Sequence, residues 1–327
     1  ERGRLASVPP MLEESLVLAT VALVVGLIVL VVGSDNLVDG AARISAHLGV
    51  TPIVVGVVII GFGTSTPELL VTVLAGLEGV FDLGVGNIVG SNIANVLLVL
   101  GVAAVVGPIR VARVTVRREV PLSLLGVLAF AWAVQGTLRR TDALLLGVLL
   151  VAVITFMIVR GRGDPPQAAV PDPSGEAIAL GRESLRALLG LVGTLAGAQA
   201  VVLGGGAIAS TAGLSDGLVG LTLVAVGTSL PELAAAVQAV RRGETDLLVG
   251  NILGSNLFNA LAVGPFVVWT GATLGQLVSP ELSGRGVMLM LAAVGAVSLL
   301  LVRERVGRRT GIALVLGYAA SVTVMAS

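Results

Sequence analysis

Ten apolar runs, most of them close to bilayer thickness in length, constrain this 327-residue chain more than any other feature. A helix needs about 20 predominantly apolar residues to cross hydrocarbon. Hydrocarbon offers no partner to a free N–H or C=O, so a crossing segment must satisfy its own backbone. The runs extend roughly from Leu16 to Val32, Val50 to Leu74, Leu83 to Val106, Val120 to Val134 and Leu144 to Val159. Five more follow, from Leu185 to Leu203, Gly217 to Ala239, Leu247 to Trp269, Val287 to Val302 and Ile312 to Met325. The first is too long for a signal-peptide core and ends in Gly33-Ser34-Asp35 without an Ala-x-Ala pattern, so it reads as a helix.

Composition narrows what such a chain can do. It is 55% hydrophobic and only 12% charged, and its 20 basic residues are balanced by 20 acidic ones. With no basic excess to grip phosphate backbones, nucleic acid is not an expected partner. There is no cysteine, and His47 is the single histidine. Disulfides, thiolate chemistry, Cys-bound zinc and His-cluster metal sites are excluded, so any metal here must be held by oxygen.

Arginine falls unevenly on alternate sides of the ten runs. One side holds Arg43, Arg110, Arg113, Arg117, Arg118, Arg160, Arg162, Arg182, Arg186, Arg241, Arg242, Arg303, Arg305, Arg308 and Arg309, fifteen in all. The other holds only Arg2, Arg4, Arg139, Arg140 and Arg285. Short cytoplasmic loops are enriched in positive charge, so the arginine-rich side is expected to be cytoplasmic and both termini extracytoplasmic, in a multi-pass cell-membrane protein. The stretch from Arg160 to Arg182, with Asp164-Pro165-Pro166 and Pro171-Asp172-Pro173, reads as a flexible linker. The expected organisation is a 1–13 tail, a first five-helix repeat over 14–160, a linker over 161–183 and a second five-helix repeat over 184–327.

A shift of 164 residues superposes Gly63-Thr64-Ser65-Thr66-Pro67-Glu68 on Gly227-Thr228-Ser229-Leu230-Pro231-Glu232. It also superposes Gly86-Asn87-Ile88-Val89-Gly90-Ser91-Asn92 on Gly250-Asn251-Ile252-Leu253-Gly254-Ser255-Asn256. From Gly63 to Asn95, 19 of 33 positions are identical, among them Pro, Glu, Asp, Asn, Thr and Ser, which apolar bias does not produce. Five spans separate the copies, so the second crosses in the opposite sense, as in the inverted repeats of secondary transporters. The expected fold class is an all-α integral membrane protein with ten transmembrane helices in two inverted five-helix repeats.

Glu68 and Glu232 lie deep within apolar runs, where an unpaired carboxylate costs several kcal/mol. Protonation or a bound cation resolves that cost, and carboxylates lined by hydroxyls suit a hard ion such as calcium. Pro67 and Pro231 remove a backbone donor just ahead of each glutamate, so each helix should break there and expose carbonyls to a cavity. Ser91, Asn92 and Asn95, with Ser255, Asn256 and Asn259, add neutral oxygen donors on the third and eighth helices. Asn87 and Asn251 share a face with Ser91 and Ser255 a turn nearer the helix start, where bonding a neighbouring helix is as natural a role as holding an ion; Asp82 and Asp246 are expected to cap helix starts, and Asp35 and Asp39 to form a solvated or packing face.

The paired Gly-Thr-Ser-x-Pro-Glu and Gly-Asn-x-x-Gly-Ser-Asn motifs resemble the two alpha repeats of the cation/calcium antiporter superfamily, and with the ten-helix layout the chain is similar to a compact prokaryotic sodium/calcium exchanger. The resemblance implies alternating access in which sodium influx drives calcium export. It implies calcium coordination by Glu68 and Glu232, aided by the carbonyls of Thr64 and Thr228. It places sodium sites at Thr64, Ser65, Ser91, Thr228, Ser229 and Ser255, with the Gly61 and Ala225 carbonyls as weaker candidates, and completes the central layer with Asn95 and Asn259. Some relatives, including the potassium-dependent ones, have an acid where this chain has Asn259, which disfavours potassium dependence. The expected partners are calcium ions, sodium ions and the lipid bilayer, with no cofactor, no nucleic acid and no obligate protein partner. A proton/calcium exchanger is the alternative, because a buried glutamate can trade a proton for calcium. A passive calcium channel and an intramembrane enzyme are rivals from other classes; duplicated, oppositely oriented acids without a nucleophile speak against the enzyme.

Overall fold

A computed structural model describes residues 15–161, 180–211 and 225–326. The Pro-rich part of the expected linker and residues 217–224 of the seventh run lie outside the described residues. The helices are α1 (Leu16–Leu48), α2 (Pro52–Thr64 and Thr66–Leu77), α3 (Phe81–Val106), α4 (Arg113–Ala133) and α5 (Arg140–Gly161). After the linker come α6 (Leu180–Thr211), α7 (Ala225–Thr228 and Leu230–Arg241), α8 (Thr245–Leu274), α9 (Glu281–Leu301) and α10 (Arg308–Ala326). Six of them are individually long and apolar enough to cross a membrane, and the bent α2 makes a seventh.

Two of these helices run well past their apolar cores. Ser15 caps α1 by accepting from the Leu18 N–H, and the helix continues beyond Gly33-Ser34-Asp35 to Leu48, where Gly49 turns left-handed at φ 61°. Its polar last turns are held by partners on other elements. Arg242, just after α7, grips Asp35 through Nε and Nη2 and Asp39 through Nη1, each at 2.8 Å. Arg186 of α6 also pairs with Asp39 and donates to Asn36 Oδ1 at 3.0 Å. Of the two expectations for this face, solvated or packing, the packing one holds, through ion pairs on the arginine-rich side.

α1 and α6 pack antiparallel with almost no side chain between them. Gly26, Gly33 and Gly40 recur every seven residues on α1, and Gly190, Gly197 and Gly204 recur at the same interval on α6. A Cβ on Gly197 would stand 2.4 Å from the Leu30 nitrogen, and one on Gly33 2.5 Å from the Thr194 nitrogen. Small residues that let backbones meet are how helices associate where no hydrophobic force separates them from lipid. The pair forms an outer ribbon, with only 22% of the most apolar α1 window buried against 72% for α3.

The inner helices meet in the same way on one side. Gly56 and Gly61 of α2 face α8, where a Cβ on Gly250 would stand 2.4 Å from the Ile53 carbonyl and one on Gly254 2.5 Å from the Val57 Cα. These contacts lie in the arginine-rich half of the molecule. On that side a two-stranded antiparallel pairing, β1 (Ile109–Arg110) with β2 (Arg305–Val306), also ties the α3–α4 turn to the α9–α10 turn. Arg113 and Glu304 reinforce it with an ion pair at 2.7 Å.

Gly197→Leu is expected to lower the Tm of the purified protein, because overpacking costs roughly 1–3 kcal/mol and the atoms in the way are backbone. Gly295→Ala, whose Cβ would meet nothing within 4 Å, should leave it unchanged or slightly raised. Equal Tm values for the two variants would remove the close-packed ribbon.

Candidate cation site

The two prolines break their helices where the sequence predicts. α2 bends by 46° between its segments, and the break residues Ser65 (φ −82°, ψ 11°) and Ser229 (φ −89°, ψ 2°) occupy equivalent places. The Gly63 carbonyl, denied a backbone donor by Pro67, is taken by the Thr66 hydroxyl at 2.7 Å. It is thus satisfied locally rather than turned to a cavity. Glu68 and Glu232 sit in the first turn of the segments that follow, so each carboxylate is near the positive end of a half-helix dipole.

Both glutamates have 0% exposure. Ser65, three residues before Glu68, reaches the Glu232 carboxylate, so the two acid-bearing segments meet. Two hydroxyls of the first half approach the carboxylates: Ser65 donates across the halves to Glu232 Oε1 at 3.0 Å, and Ser91 lies 3.5 Å from Glu68 Oε1. The Thr228 hydroxyl of the second half is buried without a hydrogen-bond partner. Thr64 donates to the Ile60 carbonyl at 2.9 Å, with Asn251 Oδ1 at 3.3 Å. Ser255 donates to the Gly61 carbonyl at 3.3 Å.

Four asparagines cross-link α3 and α8 at the centre. Asn95 Nδ2 donates to Asn256 Oδ1 at 3.1 Å, and the repeat-related Asn259 Nδ2 donates to Asn92 Oδ1 at 3.3 Å. Both helices widen into π-helical turns that begin at these residues, Asn95–Val99 and Asn259–Val263. Such turns are rare and often accompany functional sites. Of their two roles, Asn87 and Asn251 take helix bonding, donating to the backbone carbonyls of Glu68 (3.1 Å) and Glu232 (3.3 Å). Asp82 does not cap its own helix and instead accepts from the Ser279 N–H at 3.1 Å.

All ten sequence-predicted site residues, Glu68, Glu232, Thr64, Thr228, Ser65, Ser229, Ser91, Ser255, Asn95 and Asn259, are buried. Six of their oxygens are buried without a hydrogen-bond partner: Glu68 Oε2, Glu232 Oε2, Asn95 Oδ1, Asn259 Oδ1, Thr228 Oγ1 and Ser229 Oγ. Leaving one such group unsatisfied costs about 1–3 kcal/mol, and more if it is charged, so this is a strained arrangement for a protein with nothing to bind. Among the described residues no group of three or more His, Cys, Asp or Glu could hold a metal. A cation here would therefore combine two carboxylates with hydroxyl and amide oxygens. That donor set fits calcium or sodium and suits no softer metal. Sequence reasoning gave Thr72 no role; it is 1% exposed and accepts from Asn87 Nδ2 at 3.0 Å, helping to fix the Glu68 segment against α3.

Known proteins share this architecture. NCX_Mj, a sodium-calcium exchanger of known structure, superposes with a TM-score of 0.81 and 28% identity, over 94% of this chain and 99% of its own. The inner membrane protein YrbG of Escherichia coli is 35% identical over 93% of this chain and 95% of its own length. The sodium/calcium exchanger MaX1 of Methanosarcina acetivorans is 29% identical over 74% of this chain and 80% of its own length. The sequence model of the sodium/calcium exchanger protein family matches twice, over residues 18–159 and 185–326, once for each expected repeat. The chain therefore belongs to the sodium/calcium exchanger family, within the cation/calcium antiporter superfamily.

Proposed function

We propose that this protein exchanges sodium for calcium by alternating access, with Glu68 and Glu232 as the shared calcium ligands. The observation that carries the reading is the set of six partnerless buried oxygens on residues of both repeats. Calcium takes six to eight oxygens, and two carboxylates neutralise its charge. Thr64, Ser65, Ser91, Thr228, Ser229 and Ser255 supply hydroxyls and carbonyls to sodium, and Asn95 and Asn259 close the layer. Sodium and calcium compete for the same two fixed charges, so they do not occupy the site together.

An empty site carries two buried negative charges and resists occlusion; a loaded one is neutralised and passes through it. The α1–α6 ribbon then slides as one body across the other eight helices, because backbone contact along its length couples the pair. The two five-helix halves act as the inverted units, the arginine-rich side faces the cytoplasm and both termini lie outside.

Calcium uptake into sodium-loaded vesicles tests the reading. Wild-type protein is expected to take up calcium down a sodium gradient and to show no uptake driven by a proton gradient alone. Glu68→Gln or Glu232→Gln should reduce uptake by about 100-fold or more, as expected from removing one member of a buried charge arrangement. Full uptake by either variant would reject the site, and equal uptake on protons alone would make the protein a proton/calcium exchanger. Because the chain has no cysteine, orientation can be read from single substitutions. In right-side-out cells Gln276→Cys should react with an impermeant maleimide, and Arg305→Cys only after lysis; the reverse pattern would invert the topology.

A further inference from the structure

The two repeats do not pack alike around their third helices. In one half α3 meets α10 backbone to backbone: a Cβ on Gly101 would stand 3.0 Å from the Gly311 carbonyl, and one on Gly311 2.6 Å from the Gly101 carbonyl. The repeat-equivalent pair is α8 with α5, where Pro265 replaces Gly101 and Gly147 stands for Gly311. A pyrrolidine ring forbids the same approach, and a Cβ on Gly147 would meet nothing within 4 Å. A groove of about 780 Å³ opens between these helices, lined by Leu144, Gly147, Val148, Val151, Phe266 and Trp269.

α5 begins with Arg140 at the arginine-poor end of this groove, and Arg139 directly precedes it; they are two of the five arginines on that side. Arg140 lies over the Trp269 ring at 5.5 Å from its centroid, with the indole at the end of the groove. Both arginines are exposed, and among the described residues no carboxylate pairs with either. Cationic and amphipathic aromatic side chains at such a depth sit at the headgroup level, and basic pockets between membrane helices hold anionic headgroups. We propose that the α5–α8 groove binds one anionic phospholipid of the arginine-poor leaflet, its phosphate at Arg139 and Arg140 and one acyl chain lying against Gly147, Val148 and Val151. α5 also packs against the π-helical turn that starts at Asn259, so the lipid fills space behind that turn. The inference rests on the membrane placement of the chain and holds whichever ion drives transport.

Native mass spectrometry of the detergent-purified full chain, titrated with dioleoyl phosphatidylglycerol or dioleoyl phosphatidylcholine, tests it. One phosphatidylglycerol should be retained per chain, with about tenfold preference over phosphatidylcholine. The double variant Arg139→Gln, Arg140→Gln should retain both lipids equally. Gly147→Phe, which fills the groove and leaves the arginines in place, should retain neither. Equal retention by the wild type, a preference that survives the double arginine variant, or a dimer that covers the groove with a second copy would each overturn the proposal.

Discussion

Two fully buried carboxylates, on half-helices that the Ser65 hydroxyl joins, are the constraint around which the rest of this molecule is arranged. In hydrocarbon an isolated charge costs several kcal/mol, and a second of the same sign nearby raises that cost. Every local device near Glu68 and Glu232 reduces it. The proline breaks place each acid at a helix start, Ser65 and Ser91 approach the carboxylates, and Asn87 and Asn251 fix the backbone from the neighbouring helix. None of these satisfies the second oxygen of either acid, and on the proposed reading a transported cation does.

Near-identical sequence copies do not give identical surroundings. Ser65 bonds Glu232, while the equivalent Ser229 hydroxyl has no partner; Ser255 bonds a carbonyl on α2, while Ser91 approaches a carboxylate. The ion pairs of Arg242 with Asp35 and Asp39 have no counterpart in the other copy, where the equivalent positions are Glu78, Gln199 and Leu203. Two copies of one motif in two environments are what an alternating-access protein needs, since the halves must exchange roles for the other side to open. Of these contacts, the Arg242 pairs lie at the arginine-rich end.

Much of this was legible in the sequence. The 164-residue repeat picked out the glutamates, the prolines and the hydroxyl and amide residues, because those types are costly in lipid and rarely recur by chance. A helix-bonding role for Asn87 and Asn251 was one of the two that their place on the helix face allowed. What was hidden depended on partners distant along the chain. The partner of Asp35 and Asp39 was hidden because Arg242 is about 200 residues away, and α1 and α6 looked shorter because their ends on the arginine-rich side are polar. The seven-residue glycine period on α1 and α6 was present in the sequence, but a recurring glycine gains meaning only when another backbone lies against it. The Gly63 carbonyl went to Thr66, a competition between a local hydroxyl and a ligand that motif spacing does not resolve.

The central claim is that these two carboxylates are compensated by a captured cation rather than by the protein. Equilibrium binding of radioactive calcium to the purified chain measures this without any transport step. The account predicts one calcium per chain, displaced by sodium and lost when either Glu68 or Glu232 becomes glutamine. Calcium bound with unchanged stoichiometry and affinity by the protein with both substitutions would contradict it.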